Sequence, residues 1–301
     1  EYGWEVLVGI ARFWAQRVNW SEDKQKYVML GVTGPNEYEN NVNNNWYTNY
    51  IATWCLKYTL EVYAEIQKNY PSEAAAKITK TAFTASEIDQ FQHIIAHMYL
   101  PSDENKGIYL QQDGFLDKVI APVETIAAER PINQKWSWDR ILRSCYIKQA
   151  DVLQGMYFFE DDFSLEDLER NYNFYEPITV HESSLSPCVH SILAAKLGKE
   201  DKSYEFYTRA ARLDLDDYNN DTEDGCHITS MAGTWMSIIK GFGGMRLKDH
   251  TLHFNPFLPK QWNEFSFKIN FRANQLNIAV KQSGVEITNL AGPELTVFVH
   301  G

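Results

Sequence analysis

Apolar residues recur three or four positions apart over most of the first 245 residues, and that period predicts a helical body. Residues 1–20 place Val6, Ile10, Phe13 and Val18 at this spacing, and 46–68 repeat it with Ile51, Trp54, Leu56, Leu60 and Ile66. Further helices are expected over 84–100, 139–160, 186–197, 202–213 and 229–240, whereas 101–135 is interrupted by Pro101, Gly107, Gly114, Pro122 and Pro131 and reads as loop. Near residue 246 the period drops to two. Phe265, Phe267, Ile269 and Phe271 alternate with polar residues, Leu276, Ile278 and Val280 repeat the pattern, and Val285, Ile287, Leu295, Val297 and Val299 continue it. Turns are expected at Asn274-Gln275, Ser283-Gly284 and Gly292-Pro293, with Pro256 and Pro259 in the strand region leading in. The expectation is a mainly α chain: residues 1–245 as the C-terminal part of an (α/α)6 barrel or toroid, and 246–301 as a small antiparallel β-sheet domain. Loops at one end of such a toroid build its site, as loops on rigid scaffolds tend to.

Composition narrows the function. The formal net charge is −12, with 28 Lys and Arg dispersed among 40 Asp and Glu, so a basic stripe for nucleic acid is missing. No apolar run is long enough to span a bilayer. Cys55, Cys145, Cys188 and Cys226 lie far apart without metal-ligand spacing and read as reduced thiols of a cytoplasmic protein. His93 and His97 are four apart but lack a third ligand, so no metal is expected. Aromatic residues reach 14%, which suits sugar-binding platforms and large helical cores alike. The chain opens at Glu1 inside an expected helix and reads as a piece of something longer.

Four segments carry candidate chemistry. In Val32-Thr33-Gly34-Pro35-Asn36-Glu37-Tyr38, Gly34 and Pro35 break the helix and present Glu37 from a loop. The rings of Tyr38, Trp46 and Tyr47 are expected to desolvate its carboxyl, as a general acid requires, and the amides from Asn41 to Asn45 suit sugar hydroxyls; the plain alternative is a turn with Glu37 in water. Lys148-Gln149-Ala150-Asp151, expected inside a helix, sets a cation beside an amide that can hold phosphate or sugar oxygens, or merely forms a solvated i,i+3 pair. His181-Glu182-Ser183-Ser184-Leu185-Ser186-Pro187 gathers hydroxyls ahead of a helix, where they serve an anion, cap the helix, or both. In His227-Ile228-Thr229-Ser230-Met231-Ala232-Gly233-Thr234-Trp235, Gly233 permits close backbone approach to an oxyanion or close packing of two helices.

In combination and order these segments, together with Asn44-Asn45, Tyr47-Thr48-Asn49 and the opening Ala11-Arg12-Phe13-Trp14, resemble glycoside hydrolase family 65, whose members are mostly phosphorylases of maltose, trehalose, kojibiose or nigerose. The resemblance covers essentially the whole chain. It implies that Glu37 is the single general acid, that Lys148 and Gln149 line the site for the retained glucosyl unit and phosphate, and that Ser183, Ser184, Gly233 and Thr234 form the phosphate cradle, supported by His181 and His227. Asn36 stands where many members carry Asp. The implied reaction is inverting phosphorolysis of an α-glucosidic disaccharide, foremost maltose to β-D-glucose 1-phosphate and D-glucose, with phosphate as co-substrate, no cofactor, and a homodimer as the working state.

Chemistry favours that reading. An inverting hydrolase needs a second carboxylate to activate water, whereas phosphate arrives already nucleophilic. A glucoamylase-like hydrolase would draw that carboxylate from Glu176, Glu182 or Asp139. A non-catalytic carbohydrate-binding module would need neither acid.

Overall fold

The structure is a computed structural model that describes residues 3–300. Four helices open the chain: α1 (Gly3–Arg17), α2 (Trp46–Asn69) and α4 (Ala85–His97) fall where helices are expected, α3 (Pro71–Thr81) does not, and a short hairpin of β1 (Asn19–Ser21) and β2 (Lys26–Val28) follows the first. Asn45 starts α2 by accepting from Thr48 N at 2.9 Å, and Thr84 with Glu87 forms a reciprocal capping box at the start of α4. In α1 the buried stripe is Trp4, Val8, Ala11 and Ala15, while Val6, Ile10 and Phe13 face outward, the reverse of the expected face. The helix is apolar on two sides, and the side carrying alanines allows the closer approach to α2, α3 and α4. Helix α3 escapes the apolar period because only Ala74 of it is buried; Pro71 at its first turn starts it.

The middle of the chain holds the hairpin of β3 (Ser102–Asp103) and β4 (Ile108–Tyr109), then α5 (Ile132–Lys135), α6 (Trp138–Arg143), α7 (Val152–Phe158), α8 (Leu165–Tyr175), α9 (Ser186–Lys196), α10 (Glu200–Ala211), α11 (Leu213–Asp216) and α12 (Ile228–Met236). A widened π turn over Ser237–Phe242 extends α12. The continuous helix expected over 139–160 is two helices separated by an extended link. Helix α9 is buried on every side from Ser186 to Ala194, and its Val189, Ile192 and Leu193 belong to the largest core together with Trp46, Leu153, Met156 and Tyr175. Gly155 lets α7 settle on α2, since a Cβ there would lie 2.7 Å from the Trp46 ring.

Strands replace helices from β5 (Arg246–Lys248) onward, through β6 (Thr251–Phe254), β7 (Glu264–Phe271), β8 (Asn274–Lys281), β9 (Gly284–Ala291) and β10 (Val297–Val299). β7, β8 and β9 form an antiparallel meander, and Leu276, Ile278 and Val280 of β8 meet Leu252 and Phe254 of β6 in a separate core. Two details differ from expectation. The β7–β8 turn is Arg272-Ala273, with Arg272 at φ +54, so Asn274 and Gln275 are strand residues; and β10 joins β6 in parallel. The mainly helical body with small sheets at its C-terminal end is the architecture of the (α/α)6 toroid with a sheet domain. Among the described residues no helix is long and apolar enough to cross a membrane.

Beside α9 the rings of His181 and His190 lie edge to face at 4.5 Å, fully buried. Burial above all holds both neutral, His190 down to about 3 and His181 well below its ordinary value. The unfolded chain protonates His190 near 6.5, so its contribution is complete above that pH and is lost as pH falls from 6.5 toward 3. Urea denaturation is expected to show this histidine costing the parent about 2 kcal/mol more at pH ~5 than at pH ~7.5, relative to His190→Gln. A pH-independent difference between the two proteins refutes it.

Candidate active site

The segment from Met29 to Asn45 closes on itself. Val32 and Val42 exchange both backbone hydrogen bonds at 2.9 Å, and Asn44 closes the base, its N donating to Met29 O at 2.7 Å and its Oδ1 accepting from Met29 N at 2.9 Å. At the tip Glu39 N donates to Asn36 O at 3.1 Å, making a tight turn in which Asn36 and Tyr38 are buried and Glu37 is exposed. The loop is tied from below. Asn36 donates through its N to Asp151 Oδ2 at 3.0 Å and through Nδ2 to Gln111 Oε1 at 3.3 Å, while its Oδ1 accepts from Lys148 N at 2.9 Å. Asn45 Nδ2 donates to Asp151 Oδ1 at 2.9 Å, and Tyr38 Oη to Glu182 Oε2 at 2.6 Å. A Cβ on Gly34 would lie 2.3 Å from Asn45 Nδ2 and 2.5 Å from Asp151 Oδ2, so only glycine lets the loop come down on Asp151. Burial raises the Asp151 carboxyl to about 7, against the two donors that stabilise its charge.

Lys148-Gln149-Ala150-Asp151 is the extended link ahead of α7, not part of a helix. Its backbone finds partners elsewhere: Ile147 N donates to Ile178 O at 3.0 Å, Val180 N to Ile147 O at 2.8 Å, and Lys148 N to Asn36. The bridge lays 147–149 beside 179–183, and a continuous chain of contacts results. The Lys148 ammonium pairs with the Glu37 carboxylate, Gln149 Nε2 donates to Pro35 O at 2.6 Å, and Gln149 Oε1 accepts from the Ser183 hydroxyl, whose oxygen in turn accepts from Leu185 N at 3.2 Å. The pair is open to solvent in part, the side chains of Lys148 and Glu37 being 25% and 54% exposed. Of the three rings expected to enclose Glu37, Tyr38 and Trp46 are buried in the core, and Tyr47 lines the cleft. Pro35, Tyr47, Gln149, Leu185 and Gly233 line a cleft of about 360 Å³.

The other expected phosphate ligands divide. Ser184 is half-buried, and its hydroxyl is engaged by no partner among the described residues. Gly233 lines the cleft and seats α12 on α9, where a Cβ would lie 2.8 Å from Cys188 Cβ, the close helix packing that was one of its two readings. Thr234 departs from the expected role, because its hydroxyl donates to Ser230 O at 2.9 Å within α12. His227 does too: its Nδ1 meets Asp214 Oδ1 at 2.5 Å and Nε2 lies 3.5 Å from Asp221 Oδ2, and the Asp214 hydrogen bond raises its proton affinity. His181 is buried and neutral with Nδ1 on Ser186 Oγ at 2.7 Å, so it shapes the turn at φ +54 instead of facing an anion. Neither Ser184 nor Ser186 caps α9. Sequence reasoning missed Asn36, Gln111, Asp151 and Glu182 as the loop's anchors; the available signal was a set of polar residues amid apolar core segments.

Comparison with known proteins decides the family. Residues 1–236 match the glycosyl hydrolase family 65 central catalytic domain, and residues 245–301 match the family's C-terminal domain. The chain belongs to glycosyl hydrolase family 65. It is 54% identical over 301 residues to maltose phosphorylase of Bacillus subtilis (strain 168), covering all of this chain and 39% of that protein. It is 38% identical to alpha,alpha-trehalose phosphorylase of Thermoanaerobacter brockii, covering 99% of this chain and 39% of the relative. A solved structure described as a kojibiose phosphorylase from the human microbiome superimposes with a TM-score of 0.92 at 40% identity, over 100% of this chain and 44% of that one. The family 65 chain therefore spans about two fifths of the length of these relatives.

Within this family 65 site, the carboxylates that a hydrolase would recruit are committed elsewhere. Glu182 is buried and accepts from Tyr38, from Ile132 N at 3.0 Å and from Arg130. Glu176 pairs with Lys202 at 3.1 Å, and Asp139 with Arg143 at 2.7 Å on the surface of α6.

Proposed function

We propose that this chain serves inverting phosphorolysis of an α-glucosidic disaccharide, with maltose and phosphate giving β-D-glucose 1-phosphate and D-glucose. The observation that carries the reading is the pairing of one exposed acid, Glu37, with a lysine, while Glu182, Glu176 and Asp139 are all bound to other partners. An acid without a base facing it can expel a sugar but cannot activate water. In this reading the Glu37 carboxyl protonates the glycosidic oxygen as the bond from C1 breaks. A phosphate oxygen attacks C1 from the opposite face, the ester releases to water the proton it brought, and the carboxylate left at Glu37 takes a proton from water for the next turnover.

Lys148 links the two halves of that step. Without phosphate its ammonium pairs with Glu37; an arriving dianion competes for the ammonium and, lying near Glu37, favours the protonated acid. The free hydroxyl of Ser184 and the second Nε2 proton of Gln149 supply hydrogen bonds to the anion, with Ser183 holding the Gln149 amide in place, and the wall at Gly233 with Tyr47 receives apolar sugar faces. The names of the relatives support a disaccharide phosphorylase, and the 54% identity favours maltose among the disaccharides. Four free cysteines suit a reducing compartment, and a cytoplasmic homodimer belongs to the same reading.

The test is cleavage of maltose by a protein carrying this chain at the length of its relatives. Removing phosphate is expected to abolish cleavage, and restoring it to release β-glucose 1-phosphate; undiminished glucose release without phosphate rejects the proposal. Trehalose, kojibiose and nigerose in parallel settle the linkage.

A further inference from the structure

A second cavity, of about 330 Å³, opens where the helical body meets the C-terminal sheets. Its volume lies at the lower end of the roughly 300–1,000 Å³ typical of small-molecule sites. Lys196 at the end of α9, Lys240 in the π turn after α12, Arg246 and Lys248 of β5, His253 of β6, and His300 line it. The wall contains one carboxylate, Glu160. A concentration of four full cations around one acid is unexpected in a chain of net charge −12.

Internal pairing consumes only part of that charge. Glu160 takes Lys196 at 3.0 Å and also Arg246. Lys248 lies 3.7 Å from Asp161, whose side chain is largely exposed. The Lys240 ammonium lies 5.3 Å above the Tyr157 ring and has no hydrogen-bond partner among the described residues. Burial and the neighbouring Arg246 both weaken its hold on a proton, a cost that a bound anion relieves. Nδ1 of His253 is buried without a partner, and the His300 ring is fixed beside it by Asn255 at 2.9 Å.

We propose that this junction cavity is a binding site for a phosphoryl dianion, separate from the cleft beside Glu37 and carried either by free phosphate or by a small phosphorylated sugar. Lys240 is its uncommitted donor, Lys248 is held only by the exposed Asp161 at 3.7 Å, Arg246 and Lys196 set the field, and the imidazoles of His253 and His300 add directional hydrogen bonds. Enclosure between two domains and the acidic balance of the chain argue for a small anion over a polyanion. The inference does not depend on the proposed reaction.

Isothermal titration of the full-length protein with inorganic phosphate and, separately, with glucose 6-phosphate tests it, using the parent, Lys240→Gln and Lys248→Gln. Each substitution is expected to weaken one class of site at least tenfold, about 1.4 kcal/mol, while disaccharide turnover at saturating phosphate is unchanged. Loss seen with phosphate alone identifies the free ion as ligand, loss with glucose 6-phosphate alone identifies the phosphorylated sugar, and loss with both identifies the phosphoryl group they share. Phosphate and glucose 6-phosphate isotherms that both variants leave unaltered overturn the proposal.

Discussion

Glu37→Gln is expected to lower maltose phosphorolysis by about 10³-fold, within the ~10²–10⁴ contributed by a positioned general acid, with the KM for maltose nearly unchanged. The side chain keeps its volume and loses only its proton and charge. The loop should hold, because its ties run through Asn36, Tyr38 and Asn45, and the one hydrogen-bond partner of the Glu37 side chain among the described residues is Lys148. A leaving group that needs no protonation separates proton supply from geometry. With α-glucosyl fluoride and phosphate, the variant is expected to retain most of the parent's rate, since fluoride departs as the anion. Equal losses on maltose and on the fluoride would remove Glu37 from the role of acid, as would an undiminished rate on maltose.

The sheets were the most legible part of the chain. In β8 the buried residues Leu276, Ile278 and Val280 alternate as a strand packed on one face must, and any pattern reader finds them. Partnering is another matter: nothing local to Val297–Val299 says that β10 lies parallel to β6 instead of closing a hairpin. The same limit explains α1, where periodicity shows an apolar helix but the choice of buried face depends on neighbours distant in sequence. For the site, the composition of each loop was readable and its backbone was not. A helical period ran through 139–160, yet the chain opens at 144–151 because Ile147 and Lys148 gain partners 31 and 112 residues away. Residues such as Asn36 and Asp151 look like ordinary turn and helix-face residues until their partners are known. Thr234 and His227 err in the opposite direction: they carry the right groups for an anion, but Ser230 O and Asp214 lie closer and take them.

Asp151→Asn should be the second most damaging change, and it should fail differently from the Glu37 variant. Both carboxylate oxygens of Asp151 accept, one from Asn36 N and one from Asn45 Nδ2. An amide in the same place turns a donor toward one of those donors, which costs about 1–3 kcal/mol in a buried site. That lifts the loop carrying Glu37, and a misplacement near 1 Å costs roughly 10²-fold in rate. Because the defect is in position, turnover of α-glucosyl fluoride is expected to fall along with that of maltose, and the melting temperature should drop by a few degrees. pH supplies an independent reading. Burial lifts the carboxyl to about 7 from the 3.8 of the unfolded chain, so proton uptake on folding favours the fold increasingly as pH falls from 7 to 3.8. The amide variant cannot take up that proton, so its stability deficit relative to the parent should widen across this window. A deficit that stays constant, or a variant that loses maltose turnover while keeping the fluoride rate, would mean that Asp151 does not hold the loop in the way the hydrogen bonds indicate.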